Sequence, residues 1–180
     1  MLSRGRVRDM TMAAVFAAIL CVLAPWTIPA GPVPLSLATF AVYLTAAVLG
    51  WKWGTAAVLV YLLLGAAGAP VFSGLEGGLQ KLAGVTGGYL VGYIPCALLT
   101  GLFADRFRGR AAVPLTALGM LLGTAVLYAV GTAWFQFSTG NGLAASLALC
   151  VLPFLPGDAV KVAAAAALAV PLRRAVAASG

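Results

Sequence analysis

The sequence predicts an all-α membrane protein, a bundle of six transmembrane helices with both termini cytoplasmic. Three observations carry that prediction. Of the 180 residues, 63% are hydrophobic and 8% charged, against about 25% charged in an ordinary soluble domain. The apolar residues gather into long runs, at about 10–30, 36–51, 54–70, 84–104, 112–134 and 144–172, and a helical crossing needs about 20 such residues. The basic residues fall in clusters between those runs: Arg4, Arg6 and Arg8 before the first, Lys52 after the second, Arg106, Arg108 and Arg110 after the fourth, and Arg173 with Arg174 after the sixth. Six crossings put all four clusters on one side, which the positive-inside rule makes cytoplasmic. The opposite side then holds only Glu76 and Lys81 between its spans.

The first run carries Ala13/Ala17 and Ala14/Ala18, two small-xxx-small pairs that let helix backbones approach closely. They serve either packing inside the bundle or docking of another membrane subunit. Residues 1–30 also have the outline of a secretory signal. The run is long, however, and Ile28-Pro29-Ala30 is a poor small-x-small cleavage site, so the segment is expected to stay as the first span. The second and third runs are short and meet at Trp51-Lys52-Trp53. Two outward segments stand out. Ile28 to Ser36 is apolar and stiffened by Pro29, Pro32 and Pro34, and serves as a structural turn or a lid. Gly68 to Leu79 is glycine-rich and continues into Gly84-Val85-Thr86-Gly87-Gly88-Tyr89, at the start of the fourth run. Irregular backbone at that depth must be buried or line a cavity.

One membrane domain over residues 1–180 is expected, with no internal linker. The net charge of +7 would suggest nucleic acid in a soluble protein; here it brackets membrane spans, so lipid is the expected contact and nucleic acid is not. No histidine occurs, which excludes histidine-based catalysis and histidine-ligated metals. Cys21, Cys96 and Cys150 lie in three different spans without metal-ligand spacing and read as packing residues. No G-x-x-x-x-G-K-[ST] is present, so the chain does not hydrolyse ATP through a P-loop. With four acids and no clustered ligands, neither an enzyme nor a cofactor is expected.

The last run contains the exception to its own composition. Asp158 and Lys161 interrupt a stretch of Ala, Leu and Val, and each unpaired charge near a bilayer centre costs roughly 2.5–3.5 kcal/mol. Their spacing puts them on one helical face. Pro153, Pro156 and Gly157 come just before, so a fresh helical start near Asp158 is expected. At about 1.5 Å per residue, Asp158 lies roughly 20 Å from the inner end, in the outer half of the membrane. One reading makes Asp158 the N-cap of the second half-helix, with Lys161 as its local ion partner. The other makes the pair a site for a small molecule with amide-like N–H groups and an acid, with Tyr89, Tyr43, Phe40 and Trp26 available as apolar surface. An ion-coupled secondary transporter would have only this thin pair of coupling groups.

At these residues the chain resembles the BioY family, the biotin-specific substrate-binding (S) components of energy-coupling factor (ECF) transporters. The resemblance rests on Gly31-Pro32-Val33-Pro34, Gly68-Ala69-Pro70-Val71-Phe72, Gly77-Gly78-Leu79, Thr86 to Tyr93 and Leu155-Pro156-Gly157-Asp158-Ala159-Val160-Lys161. It implies a six-helix, multi-pass subunit in the cytoplasmic membrane of a prokaryote that captures biotin near the outer face. Asp158 and Lys161 match the ligand-contacting positions of the last-span motif. Ser73 and Gly78 fall in the loop over the pocket, and Tyr89 in the span below. Which member of the pair meets the ureido ring and which the carboxylate stays open. The pattern Ala13, Ala14, Ala17 and Ala18 resembles the family's first-helix motif, which docks a transmembrane T component, with two ABC-type ATPase subunits supplying energy. An S component for another small vitamin, or one that transports alone, is the alternative. The chain departs from the family pattern at Ala38, where Gln is usual, and at Val85, where Pro is usual.

Overall fold

The computed structural model describes residues 4–28, 33–107 and 112–178. Pro29, Ala30, Gly31 and Pro32 of the first outward segment, and Arg108 and Arg110, lie outside the described residues. Helix α1 (Arg4–Leu23) leads into an antiparallel hairpin of β1 (Thr27–Ile28) and β2 (Leu35–Ser36), in which Thr27 pairs with Ser36 and Ile28 with Leu35. Helices α2 (Ala38–Ala66), α3 (Leu79–Ala83), α4 (Gly87–Arg106), α5 (Ala112–Thr139), α6 (Leu143–Cys150) and α7 (Leu155–Ala178) follow.

Helix α2 covers the second and third predicted spans, and its hydrogen-bonded run hides a reversal. Gly50 sits at φ 79°, ψ 180°, a backbone region that is essentially glycine-only. A Cβ on Gly54 would lie 2.7 Å from the Ala46 Cα. Eight residues along a straight helix are about 12 Å apart, so the two legs fold back at Gly50 and pack side by side. The absence of a side chain at Gly54 is what lets them approach.

Among the described residues, four helices are long and apolar enough to cross a membrane: Ala38–Ala66, Gly87–Arg106, Ala112–Thr139 and Leu155–Val176. The sequence predicts six crossings, and the difference lies in α1 and α2. Helix α1 carries Arg6, Arg8 and Asp9 in its first turns, which shortens its apolar part, and α2 is one helical run with two legs. The sixth predicted span, 144–172, is also divided. Helix α6 ends at Cys150, and a turn at residues 151–154 precedes α7. The break therefore falls before Leu155. Pro156 is tolerated because first-turn N–H groups have no helical partner.

The turn at Gly50, the end of α4 and the end of α7 meet at one end of the bundle. Arg173 donates to the Ala104 carbonyl at 2.7 Å and pairs with Asp105. The Trp51 N–H donates to Asp105 Oδ2 at 3.0 Å. Arg8 of α1 donates to the Val176 carbonyl. Arg8, Arg173 and the turn bearing Lys52 thus meet at one end of the bundle, while Lys81 and Lys161 lie toward the other. At the other end, the segment after α2 is pinned by Phe72, which is fully buried and meets Tyr61 edge-on with ring centroids 5.6 Å apart. Phe72 fits only because residue 65 is glycine: a Cβ there would come 2.1 Å from its ring.

Candidate ligand-binding site

The first two turns of α7 place Asp158 and Lys161 toward α2 and α5. The Asp158 N–H donates to the Phe154 carbonyl at 2.8 Å, so Asp158 lies inside the helix and is not its N-cap. Its carboxylate binds side chains from three elements instead. Lys161 Nζ donates to Oδ1 at 2.8 Å, Thr39 Oγ1 to the same oxygen at 3.3 Å, and the Tyr128 hydroxyl to Oδ2 at 2.5 Å. Lys161 also donates to Thr39 Oγ1 at 3.0 Å. Asp158 is only 5% exposed, and the Lys161 side chain 14%. The ion-pair half of the structural reading holds; the cap does not.

Asp158, Lys161 and Thr39 form part of the wall of a cavity of about 50 Å³, small beside the roughly 300–1,000 Å³ usual for small-molecule sites, so the site must widen to take a ligand. Val33, Pro34 and Ser36 close it from the hairpin, and Phe72 and Ser73 from the segment after α2. Lys81 and Thr86 line it from around α3, Tyr89, Leu90 and Tyr93 from α4, Leu127 from α5, and Phe154 from the turn before α7. The walls are therefore mostly aromatic and aliphatic, with one convergent polar cluster. Widened, such a site would hold an amphiphilic molecule by its polar end and exclude water from the rest.

The predicted site residues divide. Asp158, Lys161, Tyr89 and Ser73 all line the cavity. Tyr89 is held there by a hydroxyl that donates to the Cys150 carbonyl at 3.3 Å, and by Gly131, where a Cβ would come 2.4 Å from its ring. Gly78 is not in the lining. At φ 93° it turns the chain into α3, and its N–H donates to the Gly65 carbonyl at 2.7 Å, so it shapes the lid segment without facing the cavity. The expected aromatic surface is also corrected. Tyr43 is buried in the core with its hydroxyl 2.5 Å from Thr124 Oγ1, Phe40 is half-buried outside the lining, and Trp26 is exposed. Phe72, Tyr93 and Phe154 take that place.

Among the residues not singled out from sequence, Thr39 and Tyr128 matter most, because they hold the carboxylate. The sequence carried a weak signal for Tyr128, a phenol in an apolar run whose hydroxyl needs a partner when buried. Nothing in it pointed to Asp158 as that partner.

A sequence model of the BioY family matches residues 1–178. The chain belongs to the BioY family. Its likeness extends to the biotin transporter BioY of Thermotoga maritima, 38% identical over 93% of this chain and 97% of that protein. It extends also to the biotin transporter BioY of Rhodobacter capsulatus, 39% identical over 86% and 87%. Among solved structures, the S-component for biotin from an ECF-type ABC transporter superposes with a TM-score of 0.89 at 29% identity, covering 97% of this chain and 95% of that one. The BioY match takes in every element that lines the cavity. Together with the four long apolar helices, it makes the chain a multi-pass membrane protein.

The small residues of α1 divide by burial. Ala13 and Ala17 are buried in a cluster with Phe16, Val48 and Ala57, so they pack α1 onto the two legs of α2. Of the two roles open to these small residues, bundle packing is the one this geometry gives Ala13 and Ala17. Ala14 and Ala18 are exposed on a neighbouring face of the helix, about 100° around from the buried pair.

Proposed function

We propose that this chain is the biotin-binding S component of an ATP-driven ECF importer in the cytoplasmic membrane of a prokaryote. It captures biotin from outside and delivers it inward, and it is not an enzyme. The observation that carries this reading is the buried Asp158, lining an apolar cavity with Lys161 and Thr39 and bonded from behind by Tyr128. A ureido ring has N–H donors and a carbonyl acceptor; the cluster answers with carboxylate lone pairs and an ammonium. The cavity's aromatic and aliphatic walls suit biotin's fused rings and aliphatic chain. The names borne by its relatives support the same ligand.

We further propose six crossings, counting α1, both legs of α2, α4, α5 and α7, with the Arg8–Asp105–Arg173 end cytoplasmic and the cavity facing outward. This follows from the charge distribution. Energy then comes from a transmembrane T component and two ABC-type ATPase subunits, since the chain has no P-loop of its own.

Titrating biotin into the detergent-solubilised chain tests the ligand. Saturable binding with thermal stabilisation at micromolar biotin is expected, and the absence of both contradicts it. Tyr128→Phe removes one hydrogen bond to a charged acceptor, worth about 1.5–3 kcal/mol. Its biotin affinity should drop by about tenfold or more while the chain stays folded; unchanged affinity would separate Tyr128 from the site.

The T component is expected on the exposed face of α1. Ala14→Trp or Ala18→Trp should leave biotin affinity intact and lower cellular uptake by about tenfold or more, as for a central interface residue. Equal loss of binding and uptake would instead reveal a folding defect.

A further inference from the structure

The cavity's charges do not balance. Its lining holds two ammonium groups, Lys81 and Lys161, and one carboxylate, Asp158. Lys161 and Asp158 satisfy each other at 2.8 Å, which leaves Lys81 as a net positive charge facing the cavity. Its ion partner Glu76 is not part of the lining, and the Glu76 side chain is 57% exposed against 21% for Lys81. An exposed acid gives up such a pair at little cost, because water replaces the ammonium.

A ligand carboxylate has a poor place at Lys161. It would bind the same ammonium that Asp158 already holds and set two negative charges side by side in a site with little water. The neutral ureido ring suits that cluster better. The acid at the other end of the aliphatic chain then needs a second cation, and Lys81 is the one the lining offers.

We propose that Lys81 is the specificity-determining partner of the ligand's carboxylate, and that Glu76 occupies it until the ligand arrives. This inference rests on the biotin reading above and refines it. The exchange also ties the short helix α3 to the bound molecule, so that the segment from Phe72 to Ala83 is held over the cavity by the ligand's own charge.

The test is a titration of the purified full chain with biotin and with biotinamide, which keeps the rings and chain but lacks the negative charge. The wild-type chain should prefer biotin by roughly ten- to a hundredfold, the worth of a hydrogen-bonded charge pair. Lys81→Met should lose that preference by weakening biotin alone, and Lys81→Arg should restore it. Glu76→Gln should tighten biotin a few-fold by removing the competitor. If Lys81→Met weakens both ligands equally, or neither, the inference is overturned. A wild-type chain that takes up neither ligand overturns the biotin reading and this inference together.

Discussion

Lys161→Ala and Asp158→Asn are each expected to lower biotin affinity by at least about a hundredfold. Breaking a buried ion pair from one side costs about 3–5 kcal/mol, because the remaining charge stays buried without its partner. In Lys161→Ala, Asp158 keeps Tyr128 and Thr39 but loses the ammonium that neutralises it. In Asp158→Asn, Lys161 keeps Thr39 and the amide oxygen at residue 158 as acceptors but loses its counter-charge, and the ligand loses a charged acceptor. Both variants should also unfold at lower temperature. The double variant Asp158→Asn/Lys161→Met separates the two effects. Removing both charges relieves the uncompensated burial, so its unfolding midpoint should recover toward wild type while biotin binding stays lost. A double variant that recovers binding as well would make the pair structural only.

Gly50→Ala is expected to be the most damaging single-methyl change. A Cβ at this position would lie 2.4 Å from Asp105 Oδ2, and φ is 79°. The backbone strain alone is about 1–3 kcal/mol. Moving Asp105 away also disturbs its charge-assisted bonds to Arg173 and to the Trp51 N–H, at about 1.5–3 kcal/mol for a bond to a charged group. A loss of about 3–5 kcal/mol should appear as a much lower unfolding midpoint in detergent. The folded fraction should still bind biotin, since the cavity lies at the other end of the bundle. Lys52→Ala, two residues away and exposed, is the matched control and should change little. An unchanged midpoint in Gly50→Ala would mean that the fold-back does not depend on this glycine.

Much of the architecture was legible because hydropathy and charge act over whole segments. The bracketing of apolar runs by arginines and Lys52 located the helices, and Asp158 with Lys161 pointed to the candidate cavity they line because two charges are costly in such a run. What escaped depends on three-dimensional contact. Gly50 resembles any other glycine until its φ value and its neighbour Asp105 are known. Tyr128 lies thirty residues from Asp158 in sequence, and no local pattern joins them. The same holds for the division of Ala13 and Ala17 from Ala14 and Ala18, where two overlapping small-residue pairs read alike and only packing against α2 tells them apart. Gly78 illustrates the same point: it lies in the loop beside the cavity but outside its lining, and a glycine needed for a turn looks in sequence like one needed beside a ligand.

The most direct test of the central claim is an experimental structure of the chain bound to biotin. The expected result is a ureido ring within hydrogen-bond distance of Asp158 and Lys161, with the fused rings against Phe72, Tyr93 and Phe154. Biotin bound elsewhere, with the Asp158 cluster left as it stands in the free protein, would contradict it.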